Sequence, residues 1–439
     1  MNRRDALPLP FLVLRRGDLG PALRLSARLF LVLLAYYLLK PTRESLLLAT
    51  GSAELRSYAV GTQALLLLLS LPLYRWAAER SRGERLYRRV SFFFLCQLGL
   101  FVPWIALGDS AWLGFAFFVW LGLFGVTQLA QFWALATDSL PPRRGERALP
   151  LIAAAGSLGA LAGSQAAALA YPRLQAEGSL LLAILLLLAS LAIPIRGRTR
   201  RPARPGQAPS PWRTWLGGLH LVFEDRLLRA IALFILLLNL VNTTGEYLLA
   251  GMVQAAAPPS GPERAAFIAR FYGHFFFWVN LLALGLQLFV VARIYRRIGV
   301  AGAVLCLPLL ILAGYLLLLI LPLFSLLRWF KVVENALDYS LATTTRHALF
   351  LPLDRESKYE GKTTIDTLFW RLGDLAHALL IFMGSTLGLG YASFFGINAA
   401  LATLWAVIAV GVARAYRRSR EAVAWEDSRL DSMLTTELL

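Results

Sequence analysis

The 439-residue chain is filled almost from end to end with long apolar runs. A hydrocarbon core about 30 Å thick takes roughly 20 apolar residues per helix. Runs of about that length fall near 22–40, 58–76, 90–108, 111–137, 149–171, 179–195, 227–251, 265–292, 300–321, 325–350, 364–387 and 391–412. So closely spaced, they leave no stretch for a sizeable soluble domain. Inside a bilayer each backbone N–H and C=O must find its partner within the protein, so these runs read as helices. The expected fold class is an all-α membrane protein of about twelve transmembrane helices.

Charge then sets orientation. Only 16% of residues are charged, against about 25% in a soluble chain. The formal net charge of +18 would point to nucleic acid on a soluble protein. Here the arginines cluster at the ends of apolar runs, as cytoplasmic loops require, so no nucleic-acid partner is expected. Basic residues fill the N-terminal tail (Arg3, Arg4, Arg15, Arg16), every even-numbered loop and the start of the C-terminal tail, RAYRRSR. The odd-numbered loops are poor in Arg, apart from the one after the first span. Both termini are therefore expected to be cytoplasmic, in a bacterial inner membrane. The first run is long enough to span and is followed by no small-residue cleavage site, so it reads as an uncleaved helix. Cys96 and Cys306 each sit inside an apolar run without a metal-ligand partner nearby. No metal and no cofactor are expected.

The sixth loop, RGRTRRPARPGQAPSPWRTW, divides the chain. It predicts a six-helix half over 1–196, a basic linker over 197–222 with an interfacial turn near Trp212 and Trp215, a second half over 223–415, and a cytoplasmic tail over 416–439. The halves look weakly repeated. ATDSLPPRRGERALPLIAAAGSLG resembles RHALFLPLDRESKYEGKTTIDTLFWRLG, and the loops after spans two and eight are both basic and carry Gly83 and Gly299. Two parallel pseudo-symmetric halves are the design of the major facilitator transporters, and that arrangement is expected here. The fifth span opens AGSLGALAGS, where Gly156, Gly159 and Gly163 predict close helix packing.

A charged side chain at the centre of a membrane helix costs roughly 2.5–3.5 kcal/mol on insertion scales. Charges inside the runs are therefore the most informative residues. In the tenth span Lys331, Glu334, Asn335 and Asp338 follow helical spacing along one face, and Thr345 continues the stripe. Lys331 is placed to pair with Glu334 or Asn335, which leaves Asp338 for a substrate, a proton or another helix. Such a row must look inward, either into a water-accessible hollow or into a static ion-pair lock. In the eleventh span Asp366, Trp370, Arg371, Asp374 and His377 fall close to one face, with Arg371 and Asp374 within pairing distance. His377 is placed either to move a proton or to hydrogen-bond within the bundle. The first span ends YYLLKPTRESLLL. Pro41 is expected to break or kink the helix there, leaving Lys40, Arg43 and Glu44 either at a transport site or in an external loop. The seventh span carries Asn239, Asn242, Thr243, Gly245 and Glu246, and the eighth His274, Trp278 and Asn280. Gln128, Gln131 and Asp138 lie in the fourth, where Asp138 faces Arg143 and Arg144 across the loop as a gate or a cap. No P-loop, zinc motif or Ser-His-Asp spacing is present, and no enzyme is expected.

Several segments together resemble one family. They are LLKPTRESLLL, FWALATD followed by AAAGSLGALAG, FYGHFFFWVNLLALGLQLFVV, and ENALDYSLATTTRHALFLPLDRESKYEGKTTIDTLFWRLGD. They are similar to the bacterial branch of the nucleotide transporter (ATP/ADP translocase) family, a remote relative of the major facilitators. The resemblance runs from about residue 30 to 415 and is most specific between Glu334 and Asp374. It implies exchange of ATP for ADP, or carriage of other nucleotides. It also implies a site built on Arg43 and Glu44, on Asp138 in place of a longer acid, and on two further positions. At those two this chain departs from the pattern. The family's glutamate after Asn-Leu-Val is Asn242, with Glu246 one turn on, and its lysine after Leu-Gly is Asp374, with Arg371 one turn earlier.

Three functions are compatible with these features. The first is a secondary transporter working by alternating access on an anionic, nucleotide-like small molecule. Lys40, Arg43, Lys331 and Arg371 would meet phosphate, Glu44, Glu334 and Asp338 would gate or couple, and Trp278 and Trp370 would stack a base. Asn242, Glu246, His274 and Asp374 complete its candidate binding site. The second is a proton-coupled carrier of a different small molecule, with Glu334, Asp338, Asp374 and His377 as proton sites. The third is a scaffold or sensor with fully paired charges. A monomer in the lipid bilayer is expected in each case.

Overall fold

The computed structural model describes residues 16–80, 83–108, 110–195, 211–354 and 357–437, and no strand occurs among them. Helix α1 (Arg16–Thr50) is followed by α2 (Ala53–Arg80), α3 (Gly83–Ala106), α4 (Ala111–Ser139) and α5 (Pro142–Ala192). Next come α6 (Pro211–Glu224), α7 (Arg226–Ala256), α8 (Pro262–Phe289), α9 (Val291–Ile320) and α10 (Phe324–Leu337). The short α11 (Thr343–Ala348) and α12 (Lys362–Thr364) precede α13 (Trp370–Thr386) and α14 (Tyr391–Glu437). Three π turns, Asp338–Ala342, Ser357–Gly361 and Ile365–Phe369, interrupt the last part of this series.

Eight helices among the described residues are long and apolar enough to cross a membrane. One of them, α5, is broken at Gln175, whose φ of 54° is left-handed, so it covers two of the predicted runs. The remaining runs fall on α2, on α10 with α11, and on α12 with α13; π turns break the last two into short helices. The twelve predicted runs thus all lie on helix. Gly83 and Gly299, matched between the halves by sequence, share a left-handed backbone, with φ of 54° and 67°. The repeat therefore extends to the turn geometry that glycine makes accessible.

The chain forms two compact units. One comprises Met1–Gln207 with Ala250–Leu281, the other Ala208–Leu249 with Leu282–Leu439. The tip of the α7–α8 hairpin therefore belongs to the first unit. There Gln254 Nε2 donates to the carbonyls of Leu48 (2.8 Å) and Gly51 (2.9 Å), closing the C-terminal end of α1. Ser45 Oγ donates to Ala265 O at 2.7 Å.

Glycines let α5 lie directly on α1. A Cβ at Gly159 would sit 3.0 Å from Phe30 Cα, and one at Gly163 3.0 Å from Leu34 Cα. Both obstacles are backbone, so neither can swing aside. Gly163→Leu is expected to destabilise the protein by about 1–3 kcal/mol or more through overpacking, read as a lower melting temperature in detergent. Gly99 has nothing within 4 Å of its Cβ position, so Gly99→Ala should leave melting unchanged or raise it slightly.

Two expectations are corrected. Pro41 does not end the first helix: α1 runs through it to Thr50. In a membrane helix neighbouring groups re-satisfy the carbonyl that a proline leaves unbonded. Lys40, Arg43 and Glu44 consequently lie on a helix instead of an external loop. The segment 211–222, read as the end of a linker with a turn, is the helix α6. It packs against the π turn Ser357–Gly361, where a Cβ at Gly218 would approach Glu360 O to 2.8 Å. The rest of the linker, and the side chains of Trp212 and Trp215, lie outside the described residues.

Candidate functional site

In the first unit the charges meet between α1 and α2. Glu44 is fully buried and serves two guanidinium groups. Arg43 Nη2 donates to its Oε1, and Arg56 Nε donates to its Oε2 at 2.8 Å. Arg43 Cζ lies 3.9 Å from the centre of the Phe118 ring and Arg56 Cζ 5.6 Å, a cation–π arrangement for both. Two guanidinium groups thus share one buried carboxylate. The Arg43 Nε, buried, has no hydrogen-bond partner. Lys40, one turn earlier, holds its Nζ 4.0 Å from the centre of the Phe276 ring. Arg56 was not singled out from sequence. The signal was present: the loop after the first span is the one odd-numbered loop that is not poor in arginine.

A third buried arginine in this unit is structural. Arg28 on α1 makes a fork to Glu84 at 2.7 and 2.9 Å and also donates to the carbonyl of Ile193. It ties α1 to the start of α3 and the end of α5.

In the second unit Lys331 is fully buried. Its ammonium donates to Glu334 Oε1 at 2.8 Å, Asn242 Oδ1 at 2.9 Å and Asn242 O at 3.3 Å, and Glu246 Oε1 lies at ion-pair distance, 3.4 Å. Asn335 Nδ2 donates to Glu246 Oε1 at 3.0 Å. The close approach of α10 to α7 depends on Gly245, where a Cβ would stand 2.9 Å from Lys331 Nζ. The position at which the family resemblance places a glutamate thus accepts from Lys331 as Asn242, while Glu246, one turn on, supplies the carboxylate. Lys331 and Glu334 form a buried ion pair, and the cluster reaches toward solvent through Asn242 and Glu246, which are only partly buried. Asp338 is different. It is 6% exposed, and among the described residues its carboxylate has no hydrogen bond or ion pair.

The π turns redirect the two predicted stripes. A π turn inserts one residue into the helical repeat and rotates the residues beyond it about the helix axis. Thr345 therefore leaves the charged face and meets Tyr295 of α9, hydroxyl to hydroxyl at 3.1 Å. Asp366, expected on one face with Arg371 and Asp374, instead pairs with Lys362 at 2.8 Å and Arg346 at 3.8 Å. Arg371 pairs with Asp374 at 3.0 Å, and Asn239 Nδ2 donates to the same carboxylate at 2.7 Å. The Arg346 guanidinium carbon lies 4.7 Å from the centre of the Trp370 ring, so a cation already occupies one face of that ring.

His377 is buried, with Nδ1 3.1 Å from Thr244 Oγ1. That hydroxyl donates to Leu240 O at 2.7 Å, which assigns the imidazole proton to Nδ1 and makes the histidine a bundle hydrogen-bonder. Trp278 is exposed on α8 and His274 half-buried. Asp138 is exposed at the end of α4, while the side chains of Arg143 and Arg144 lie outside the described residues. No group of three or more metal-binding side chains occurs among the described residues.

Solved transporters share this fold. The nucleoside transporter NupG superposes with a TM-score of 0.65 at 12% identity over 89% of this chain and 98% of its own. The POT family transporter PepTSo gives 0.63 at 12% over 91% and 98%. A bacterial homolog of the human lysosomal transporter Spinster gives 0.60 at 11% over 92% and 98%. The chain has the fold of these major facilitator proteins, and eight of its described helices are long and apolar enough to cross a membrane. Residues 316–416 match the family described as TLC ATP/ADP transporter, so the family that the sequence resembles is the one found. ADP,ATP carrier protein 1 of Chlamydia pneumoniae is 29% identical over 132 residues, 26% of this chain and 26% of the carrier. The carrier of the same name from Chlamydia trachomatis is 27% identical over 130 residues, 25% of each chain. These alignments span about a quarter of the carriers' length.

Proposed function

We propose that the protein is a secondary transporter that moves a small anionic, phosphate-bearing solute of nucleotide type by alternating access. The observation that carries this reading is the shared carboxylate of the first unit. Arg43 and Arg56 converge on Glu44, so two guanidinium groups are gathered at one buried point. A guanidinium offers phosphate a planar fork of donors, and Phe118 holds both guanidinium groups in place. Lys40 lies one turn away on the same helix and adds a second point charge. The match of residues 316–416 to ATP/ADP transporters favours a nucleotide over other phosphates. Lys331 and Arg371, each paired to carboxylates, position their helices and do not hold the anion. The alternation of basic loops supports a bacterial inner-membrane location with both termini cytoplasmic, and the protein acts as a monomer.

The test is uptake into liposomes preloaded with unlabelled nucleotides. Labelled ATP, ADP, other nucleotides and small phosphorylated metabolites are offered in turn. Saturable uptake of at least one phosphate-bearing solute is expected. The same solute should stabilise the purified protein, by about 2.7 kcal/mol at one hundred times its Kd. A protein that unfolds cooperatively but neither takes up nor is stabilised by any of these solutes would refute the reading.

A further inference from the structure

We infer that Asp338, at the start of the π turn of the tenth span, is a proton-binding site that couples transport to a pH gradient. This rests on the transporter reading above, and it concerns a different ligand and the other unit. Three carboxylates, Glu246, Glu334 and Asp338, stand against the single ammonium of Lys331 in this part of the second unit. That ammonium donates to Glu334 Oε1, Asn242 Oδ1 and Asn242 O, with Glu246 Oε1 at 3.4 Å. Asp338 is 6% exposed and makes no hydrogen bond or ion pair among the described residues; Arg346 and Lys331 act on it only through space. Glu334 Oε2 is likewise buried without a partner. An ionised carboxylate in such a place is strongly disfavoured, and the group neutralises instead. The smallest species that neutralises it is a proton.

The charged and titratable groups that face this cluster come from every packed element. They are Lys331 and Glu334 on α10, Glu246 on α7, Tyr315 on α9 and Arg346 on α11. Among the described residues Arg346 makes no ion pair with Asp338 and pairs instead with Asp366 at 3.8 Å. The other cation, Lys331, is already committed.

Position makes the proton consequential. Asp338 is the first residue of the π turn, and Thr343 Oγ1 donates back to its carbonyl at 2.8 Å. Ser340 and Thr344 hydroxyls donate to Ala336 O (2.6 Å) and Ser340 O (2.8 Å). Side-chain hydroxyls thus support carbonyls through a stretch where the regular helical ladder is interrupted. Such π turns occur frequently at functional sites. Loading or releasing a proton changes the charge at the joint itself.

The experiment has two arms. In the first, infrared difference spectra of the wild-type protein, with aspartate isotopically labelled, are recorded as pH is stepped. A protonated-carboxyl band that titrates, and that disappears in Asp338→Asn, is expected. This arm needs no transport substrate and its wild-type part needs no variant to fold. In the second, uptake driven by a pH gradient is compared with exchange at equal pH on both sides. Asp338→Asn should lose gradient-driven accumulation at least tenfold and keep exchange. An aspartate band that never titrates, or that persists in Asp338→Asn, overturns the proton site even if nucleotides are carried. So does gradient-driven accumulation that Asp338→Asn retains, and so does stabilisation by sodium ion with no titrating band, which would assign the site to a metal cation. Failure of all uptake, with the band present, sinks the transporter reading alone.

Discussion

Lys331→Met should cost the protein about 3–5 kcal/mol, because removing one partner of a buried ion pair strands the other. The lysine is fully enclosed, and it is the ammonium that Glu334 and Glu246 share at 2.8 and 3.4 Å. Without it, Glu334 keeps no cation and Asn242 loses the donor that holds its side chain. The expected readout is a steep fall in melting temperature in detergent, with broadening of the monodisperse peak. Methionine preserves much of the volume, so a cavity does not explain the loss. The double variant Lys331→Met, Glu334→Gln should recover much of it, since a buried pair replaced as a whole is often neutral. A single variant that melts like wild type would show that the lysine does not hold these carboxylates together.

The sequence made the passes legible because bilayer thickness dictates their length and the backbone has few alternatives inside it. Close packing at Gly159 and Gly163 was legible for a similar reason: small residues in a row have one common use in a membrane. The Lys331–Glu334 pair followed from helical spacing alone. What spacing could not give was register beyond a π turn. Thr345 and Asp366 both lie past one, and both depart from the face to which an uninterrupted helix would assign them. Nor could local spacing pair residues from different helices. Arg56 joins Glu44 across the turn between α1 and α2, and Asn242 and Glu246 reach Lys331 from a helix 89 residues away for Asn242. Pro41 does not break α1, because inside a membrane neighbouring helices re-satisfy the backbone group that a proline leaves unbonded in water.

The two positions at which the sequence departs from the family pattern acquire a physical account. Where the pattern has a glutamate, Asn242 accepts from Lys331, and the carboxylate has moved one turn to Glu246. Where it has a lysine, Asp374 accepts from Asn239 and from Arg371, one turn earlier. Sign and number of charges are thus redistributed along the helix faces, and each relocated charge is met by a partner. The result leaves the second unit richer in carboxylates than in cations around Lys331. In the first unit, by contrast, two guanidinium groups share Glu44.

Removing Arg56 and removing Glu44 are expected to separate transport from stability. Arg56→Gln leaves Arg43 and Glu44 as a one-to-one pair, still packed against Phe118. The fold should persist with a melting temperature within a few degrees of wild type. One of the two guanidinium forks is gone, so uptake of a phosphate-bearing solute should fall at least a hundredfold, the effect of losing about 2.7 kcal/mol or more of a charge-assisted contact. Glu44→Gln does the reverse. It leaves two buried guanidinium groups beside one another with no carboxylate between them, which should destabilise the empty protein by about 3–5 kcal/mol. A bound anion would then substitute for the missing carboxylate. The stabilisation that saturating solute gives Glu44→Gln should therefore exceed that given to wild type, measured as the shift in melting temperature. If Arg56→Gln transports normally, or if solute stabilises Glu44→Gln no more than wild type, the anion does not bind at this cluster.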